Sequence, residues 1–478
     1  GTVSDPYIIS PASDINLVSY TLNGQATDKT YADLLKTNVV KNVTCKNGTT
    51  ATWDNTDFSI KLKSIHTPDY CTIDFGDGYS VSLTATNGTV SPSNITVGYN
   101  GSASFTVTPN SEYILELETH TCGGTLSGNT YTISNITSAK SCSITFKSSA
   151  PTLYAKLLAD NPTRSTRDKY DTVFTNNTTG TLFTATEKNV HNTTDTTVYY
   201  YAGNTTNNWV KFAGFYWRII RTNADGSVRM LYSGTEAEGT AGTNGMINTS
   251  TSFNTTYNNP MYVGYMYGTS GSLVNNRTNT NNSKIKTAID NWYASNMTSY
   301  TKYLSTTAVY CNDRNLRSGD TYKTSTNSSF YYAPYARVYS SYVPTYDCTE
   351  TSDAFSVDNT SAKLTYPIAL MTADEIMRAG GKGGNLTSPY AWYYLNSANG
   401  SIAGNTWWWL LSPYFWNGNY AGVFSVGGSS YPGFLDGGSV DGTSGVRPAI
   451  SLKSCVKTSG GDGSANAPYT IEETTNGC

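Results

Sequence analysis

Between residues 76 and 147 apolar and polar positions alternate, as in Val81 and Leu83 or Ala103, Phe105 and Val107, and Asn87-Gly88, Asn100-Gly101 and Gly128-Asn129 punctuate the runs. A period of two broken by such dipeptides predicts a meander of half-buried strands joined by tight turns. Upstream, residues 14–19 and the run Tyr31-Ala-Asp-Leu-Leu-Lys36 predict short helices, and residues 39–75 read as β-rich. Beyond residue 197, apolar runs at 212–221 and 227–233 flank Asn223-Ala-Asp-Gly226, a hairpin signal. Ile285, Ile289 and Trp292 then recur at i, i+4 and i+7 behind Ser283, predicting an N-capped helix over 283–295. Thr372 with Glu375 three residues on is a capping-box signature, and Gly380-Gly381 a stop, so a second helix is expected over 372–379. Residues 234–282 and 311–348 carry neither period and are expected as long loops.

The expected fold class is a mainly β multidomain chain. Residues 1–75 form one small β domain and 76–150 a second; 151–190 are a linker with a short helix, 191–455 a larger α+β domain, and 456–478 a C-terminal strand or tail. Two internal echoes bear on this division. Tyr31-Ala-Asp-Leu-Leu-Lys-Thr-Asn38 recurs as Tyr154-Ala-Lys-Leu-Leu-Ala-Asp-Asn161, marking a domain entrance, and Gly1-Thr-Val-Ser-Asp-Pro-Tyr-Ile-Ile9 recurs as Gly463-Ser-Ala-Asn-Ala-Pro-Tyr-Thr-Ile471. The second echo describes a strand that either closes a domain or pairs with a neighbour's sheet edge.

Residues 406–453, TWWWLLSPYFWNGNYAGVFSVGGSSYPGFLDGGSVDGTSGVRPAISLK, set an apolar frame around chemically assorted positions. Tyr, Phe, Trp, Ser, Gly, Asn and Asp dominate between the markers, the mixture antibody loops use because rings give contact area at low entropic cost while small polar residues adapt. Recognition is therefore expected within residues 414–444. The ring candidates are Tyr414, Phe415, Trp416, Tyr420, Phe424, Tyr431 and Phe434, and the polar ones are Asp436 and Asp441. Of these, Tyr414, Trp416, Tyr420, Phe424, Tyr431 and Phe434 are expected at least partly in solvent, with Trp408, Leu410, Val446 and Ile450 inside. The rival reading is a glycine-rich meander whose aromatics are core.

Charged residues make up only 14% of the chain, against roughly 25% in ordinary soluble domains, so hydroxyls and amides must carry solubility, a balance more common on cell surfaces than in cytosolic enzymes. With a net charge of −3 and no basic cluster, counterion release has little to act on, and nucleic acid is not an expected partner. The eight cysteines fall into sequential pairs, Cys45 with Cys71, Cys122 with Cys142, Cys311 with Cys348 and Cys455 with Cys478, none in a CxxC spacing. Nearest-neighbour disulfides are the simplest of the many pairings open to eight cysteines, and they imply an oxidising compartment. No metal site is expected, since His66, His120 and His191 lie in three separate stretches. No apolar run reaches the roughly 18–20 residues of a membrane-spanning helix, and a chain starting at Gly1 reads as a mature or trimmed ectodomain.

Two resemblances extend these readings. The order of "GTVSPSNITVGYNGSASFTVTP" and "YTISNITSAKSCSITF" resembles the internalin-type B-repeat and related Ig-like or β-grasp modules of bacterial surface proteins, which serve as stalks. The series "FYWRIIR", "SKIKTAIDNWY", "YPIALMTADEIMRAGG", "WWWLLSP" and "GVRPAISL" is similar to bacterial surface proteins whose C-terminal domain takes the formylglycine-generating-enzyme type of C-type lectin fold, which also carries the variable proteins of diversity-generating retroelements. That likeness implies a solvent-facing variable surface over residues 414–444. It also implies that formylglycine chemistry is missing, because no cysteine lies between Cys348 and Cys455 and Gly445-Val446-Arg447 stands where the enzymes end in Gly-Phe-Arg. Arg447 is read as structural, satisfying buried carbonyls.

Searches for a nucleophile elbow, a Ser/His/Asp neighbourhood or an HExxH helix fail, so an enzyme is not expected. Asp74-Phe-Gly-Asp77-Gly and Asp436-Gly-Gly-Ser-Val-Asp441-Gly offer oxygens of the kind Ca²⁺ takes, but without EF-hand spacing, and no cofactor is expected. Three functions remain open. The first is an extracellular adhesion protein at a bacterial cell surface, binding a protein or glycan on another surface. The second is a filament subunit polymerising through its chain ends, and the third a cell-envelope carbohydrate-active enzyme with a carboxylate pair about 5–10 Å apart.

Overall fold

The structure, a computed structural model, describes residues 15–56, 59–66, 68–111, 113–238, 244–384, 391–395, 401–475 and 477–478. It is mainly β and comprises two compact units, Gly1–Ala150 and Pro151–Cys478. The first copy of the end echo, at Pro6 to Ile9, lies outside the described residues.

In the first unit Ile15–Leu22 runs parallel to Asp69–Asp77, which pairs antiparallel with Asn38–Cys45 and places Cys45 directly opposite its disulfide partner Cys71. Residues 14–19 were expected as a helix; Asp14 lies outside the described residues, and 15–19 are strand. The reason is composition and pairing: INLVSYTL is rich in β-branched and aromatic residues, and a neighbouring strand satisfies its backbone groups. Tyr31–Thr37 is a helix as expected, capped by Thr30, and buries Leu34 against Ile73 and Phe75.

The alternating region is a two-sheet arrangement rather than a meander. One sheet holds Thr125–Ser127, Thr130–Ile136, Gly101–Pro109 and Gly88–Ser91; the other holds Tyr113–His120, Lys140–Ser148, Tyr79–Thr86 and Asn94–Val97. Lys140–Ser148 lies parallel to Tyr79–Thr86, a pairing no sequential hairpin makes. Two sheets let the inward positions Val81, Leu83, Phe105, Val107, Ile144 and Phe146 share one core, which a single meander would leave half in water.

The second unit is built on a ten-stranded sheet whose main path runs Thr163–Ser165, Thr181–Glu187, Thr196–Tyr200, Phe215–Thr222, Trp209–Phe212, Tyr469–Ile471 and Thr458–Gly460. Val228–Tyr232, Pro448–Leu452 and Ile368–Leu370 complete it beside Phe215–Thr222. The expected hairpin at 223–226 joins Phe215–Thr222 to Val228–Tyr232. The helix Lys284–Asn296 starts at the Ser283 cap and buries Ile285 and Ile289, and Ala373–Ala379 carries the capping box of Thr372 and Glu375. The second copy of the end echo closes this sheet: Tyr469–Ile471 lies parallel to Trp209–Phe212 and antiparallel to Thr458–Gly460. Its Tyr/Leu counterpart at 154–161 forms the helix Leu153–Asp160, with Leu153 and Leu157 buried and the Leu153 N–H donating to the Val456 carbonyl at 2.7 Å.

Buried charge holds this unit together. Arg221 bonds Glu187 at 2.7 Å and Glu375 at 3.0 Å, and Arg229 bonds the same Glu375 oxygen at 2.8 Å. Arg447 is fully buried and donates to the carbonyls of Tyr393 at 2.9 Å, Gly245 at 3.1 Å and Tyr232 at 3.2 Å, with its guanidinium 4.7 Å from the Trp408 ring centre. Its expected role as a donor to buried carbonyls is what the structure shows.

Candidate functional site

Residues 406–453 form most of a six-stranded sheet. Trp408–Trp416 pairs antiparallel with Ala421–Val426, which pairs with Leu435–Ser439, while Thr443–Val446 joins Trp408–Trp416 to Asn248–Ser252. Phe330–Tyr331, from the expected loop 311–348, adds a short strand opposite Trp416 and Phe415.

The glycines of this sheet are where rings lie on it. Phe415 stands opposite Gly422, and a Cβ on Gly422 would fall 2.8 Å from the Phe415 ring. Phe424 stands opposite Gly437, where a Cβ would fall 2.0 Å from Cδ1 of Tyr414. A Cβ on Gly445 would sit 2.0 Å from the Met246 sulfur. Much of the mixed composition is thus packing: a glycine removes its own side chain so that a neighbouring ring can rest on the backbone.

Two aromatic groups result. In the first, Tyr414 contacts Phe424 at 4.6 Å, Phe415 at 4.8 Å, Tyr335 at 5.3 Å and Tyr339 at 6.0 Å between ring centres. Tyr331 stacks on Tyr335 at 3.8 Å and takes the Arg317 guanidinium 4.6 Å above its centre. Tyr414 and Tyr420 are half-buried, in line with expectation, as is Phe415, but Phe424 and Trp416, expected partly in solvent, are not, at 0% and 1% exposure. Phe424 is covered by Tyr414 and Tyr339, and Trp416 lies under the insert, paired with Phe330 and donating from Nε1 to Ser328 Oγ at 3.3 Å. Trp408, Leu410, Val446 and Ile450 are inside, as expected.

The second group is Trp407, Tyr431 and Phe434, with Trp407 at 5.5 Å from Tyr431 and 5.6 Å from Phe434. Tyr431 is exposed, and Trp407 and Phe434 are half-buried. Trp407 borders a cleft of about 270 Å³ whose other walls are Trp409, the chain from Asp436 to Ser439, Ser425 and residues 442–444. Trp409 is almost wholly buried and its Nε1 donates to the Thr251 carbonyl at 2.7 Å, so its ring is fixed. Asp436 accepts from the Gly437 N–H at 2.8 Å and Ser439 donates to Asp441 at the rim.

No family model matches the chain, and no curated protein or solved structure is similar to it. Among the described residues Asp436 is the one charged residue lining the cleft. Burial pushes the hydroxyls of Tyr339 and Tyr414 to higher pKa, and the Asp436 charge adds to the rise, so both phenols stay protonated and Tyr339 donates to the Leu435 carbonyl at 2.8 Å. Among the described residues no three His, Cys, Asp or Glu side chains converge as metal ligands. Asp74 is engaged by Thr21 Oγ1 at 2.7 Å and the Gly24 N–H at 2.8 Å.

Of the expected ligand residues, the structure gathers Tyr431, Phe434, Asp436 and Asp441 around the cleft and Tyr414, Phe415 and Tyr420 in the first group. Trp407 belongs to the expected apolar frame and is not among the expected ligand residues, and Tyr331, Tyr335 and Tyr339 lie in the expected loop 311–348. The four-residue spacing of Tyr335 and Tyr339 is a helical-face signal that fits the turns over Ala333–Ala336 and Arg337–Ser341, whereas Tyr331 lies in a strand and carries no such signal.

Proposed function

We propose that this protein is an extracellular, non-enzymatic binding protein of a bacterial surface, and that its ligand, a protein or a glycan on another surface, is held in the Trp407 cleft. The observation that carries the reading is the cleft itself: a half-buried indole held by two further rings, beside a fixed second indole, a glycine-rich wall, hydroxyls and one carboxylate. Rigid aromatic anchors with a few placed polar groups are the usual makings of a binding hot spot. Binding without turnover is supported by Asp436 being the sole carboxylate that lines the cleft among the described residues, because glycoside hydrolysis commonly uses two flanking the bond. The four disulfides fit an oxidising compartment, and among the described residues no helix is long and apolar enough to cross a membrane.

The test is adhesion of the purified chain to a panel of immobilised glycoproteins and matrix proteins, read by biolayer interferometry. On whichever surfaces retain the chain, Trp407→Ala and Tyr431→Ala should each weaken binding by about tenfold or more, a loss of about 1.4 kcal/mol, while the melting temperature moves by only a few degrees. Undiminished binding by both variants refutes the assignment of the cleft.

A further inference from the structure

We infer that the Trp407 cleft is built for a neutral saccharide, an inference that rests on the binding reading above and narrows it. A pyranose presents one face of C–H bonds and a rim of hydroxyls, so it needs an aromatic plate on one side and small acceptors and donors around its edge. Trp407 is that plate: it borders the cleft, and Tyr431 and Phe434 brace it at 5.5 and 5.6 Å, fixing the ring before any ligand arrives. The edge groups are the hydroxyls of Ser425, Ser439 and Thr443 and the carboxylate of Asp436. Ser439 already donates its proton to Asp441, which leaves its oxygen lone pairs to accept.

Three further features separate a saccharide from its rivals. Among the described residues no aliphatic side chain lines the cleft, so a Leu or Ile anchor from a protein ligand would meet glycine and hydroxyls in place of the apolar walls such anchors fill. At about 270 Å³ the cleft suits one or two sugar rings, whereas a stable protein partner needs about 800 Å² from each side. Among the described residues Asp436 is the only charged one lining the cleft, so a sialyl carboxylate or a sulfate would enter against its negative charge.

The experiment is a panel of immobilised neutral oligosaccharides, their sialylated and sulfated counterparts on the same cores, and a peptide library, probed with the full chain and with Trp407→Ala, Trp407→Phe and Asp436→Asn. Neutral members should be retained, with their anionic counterparts weaker by about tenfold or more; Trp407→Ala should abolish retention, Trp407→Phe restore part of it, and Asp436→Asn weaken it about tenfold. Asp436→Asn is isosteric and its unchanged melting temperature separates a lost contact from a lost fold. Retention of peptides, or of anionic glycans at least as tightly as their neutral counterparts, that is lost in Trp407→Ala would overturn the neutral-saccharide assignment and leave the binding reading standing. Retention of nothing on the panel would overturn both, and neutral binding indifferent to Trp407 and Asp436 would overturn the place assigned to it.

Discussion

Replacing Gly437 with alanine puts the packing account of this sheet to a direct test. Its Cβ would fall 2.0 Å from Cδ1 and 2.4 Å from Cγ of Tyr414, so the ring must leave the strand or the strand must bend. Overpacking of this kind costs about 1–3 kcal/mol. The loss of a glycine's freedom in the unfolded chain offsets about 0.4–1 kcal/mol, and Gly437→Ala should therefore destabilise the Pro151–Cys478 unit by about 1–2 kcal/mol. Gly460 supplies the reference, because nothing lies within 4 Å of its Cβ; Gly460→Ala should be neutral or stabilising by up to about 1 kcal/mol. In a Tyr414→Ala background the clash has no partner, and Gly437→Ala should then cost under about 0.5 kcal/mol. Urea denaturation followed by tryptophan fluorescence reads the right unit, since of the nine tryptophans only Trp53 precedes residue 151. Equal effects of Gly437→Ala and Gly460→Ala, or a cost that persists without Tyr414, would refute the reasoning.

Arg447→Met should destabilise the same unit by about 3 kcal/mol or more, because three buried carbonyls lose their donor at once; a shift in the urea midpoint worth under 1 kcal/mol, on the order of one hydrogen bond, would argue that water replaces the side chain. Glu375→Gln should cost about 3–5 kcal/mol by leaving Arg229 buried without a carboxylate. Burial pushes the Glu375 carboxyl up, but Arg229 and Arg221 outweigh it and hold its pKa below the ordinary 4.5. Its contribution is therefore full above about pH 4.5 and lost as the pH falls further, so denaturation curves between pH 7 and 3 should lose slope in Glu375→Gln. Non-reducing peptide mapping should find Cys45–Cys71, Cys122–Cys142, Cys311–Cys348 and Cys455–Cys478 and no other link. The double replacement Cys311→Ser, Cys348→Ser opens a loop of separation 37 and should lower stability by about 4 kcal/mol on chain-entropy grounds.

What the sequence discloses here is local. Ser283, the Thr372 capping box and the Asn223 to Gly226 turn each act through neighbours three or four residues away, and each is found where the pattern puts it. Arg447 was legible through the resemblance, which keeps its frame while the cysteine chemistry is missing, and the structure finds it bonding buried carbonyls. The misreadings are all cases where a distant partner decides. Residues 15–19 became strand because Asp69–Asp77 lies beside them, and the period-two run at 79–148 gave no sign that its first and last strands pair in parallel. Trp416 and Phe424 carried the right chemistry for a surface, and segments some eighty residues upstream cover them. Trp407 was passed over as framing, although the two rings that brace it were named. A periodicity records which face of an element is apolar, not which element will arrive to cover it.

The C-terminal strand Tyr469–Ile471 carries a consequence for the timing of folding. Its partner Trp209–Phe212 and the Ala213 amide, which donates to Glu473 260 residues later, wait for the ribosome to finish nearly the whole unit. At about 5–20 residues per second that wait is about 13–50 seconds, during which the central sheet has an open edge and the helix Leu153–Asp160 lacks the Val456 carbonyl that anchors its first N–H. The larger unit is thus a clasp that shuts from its last-made end.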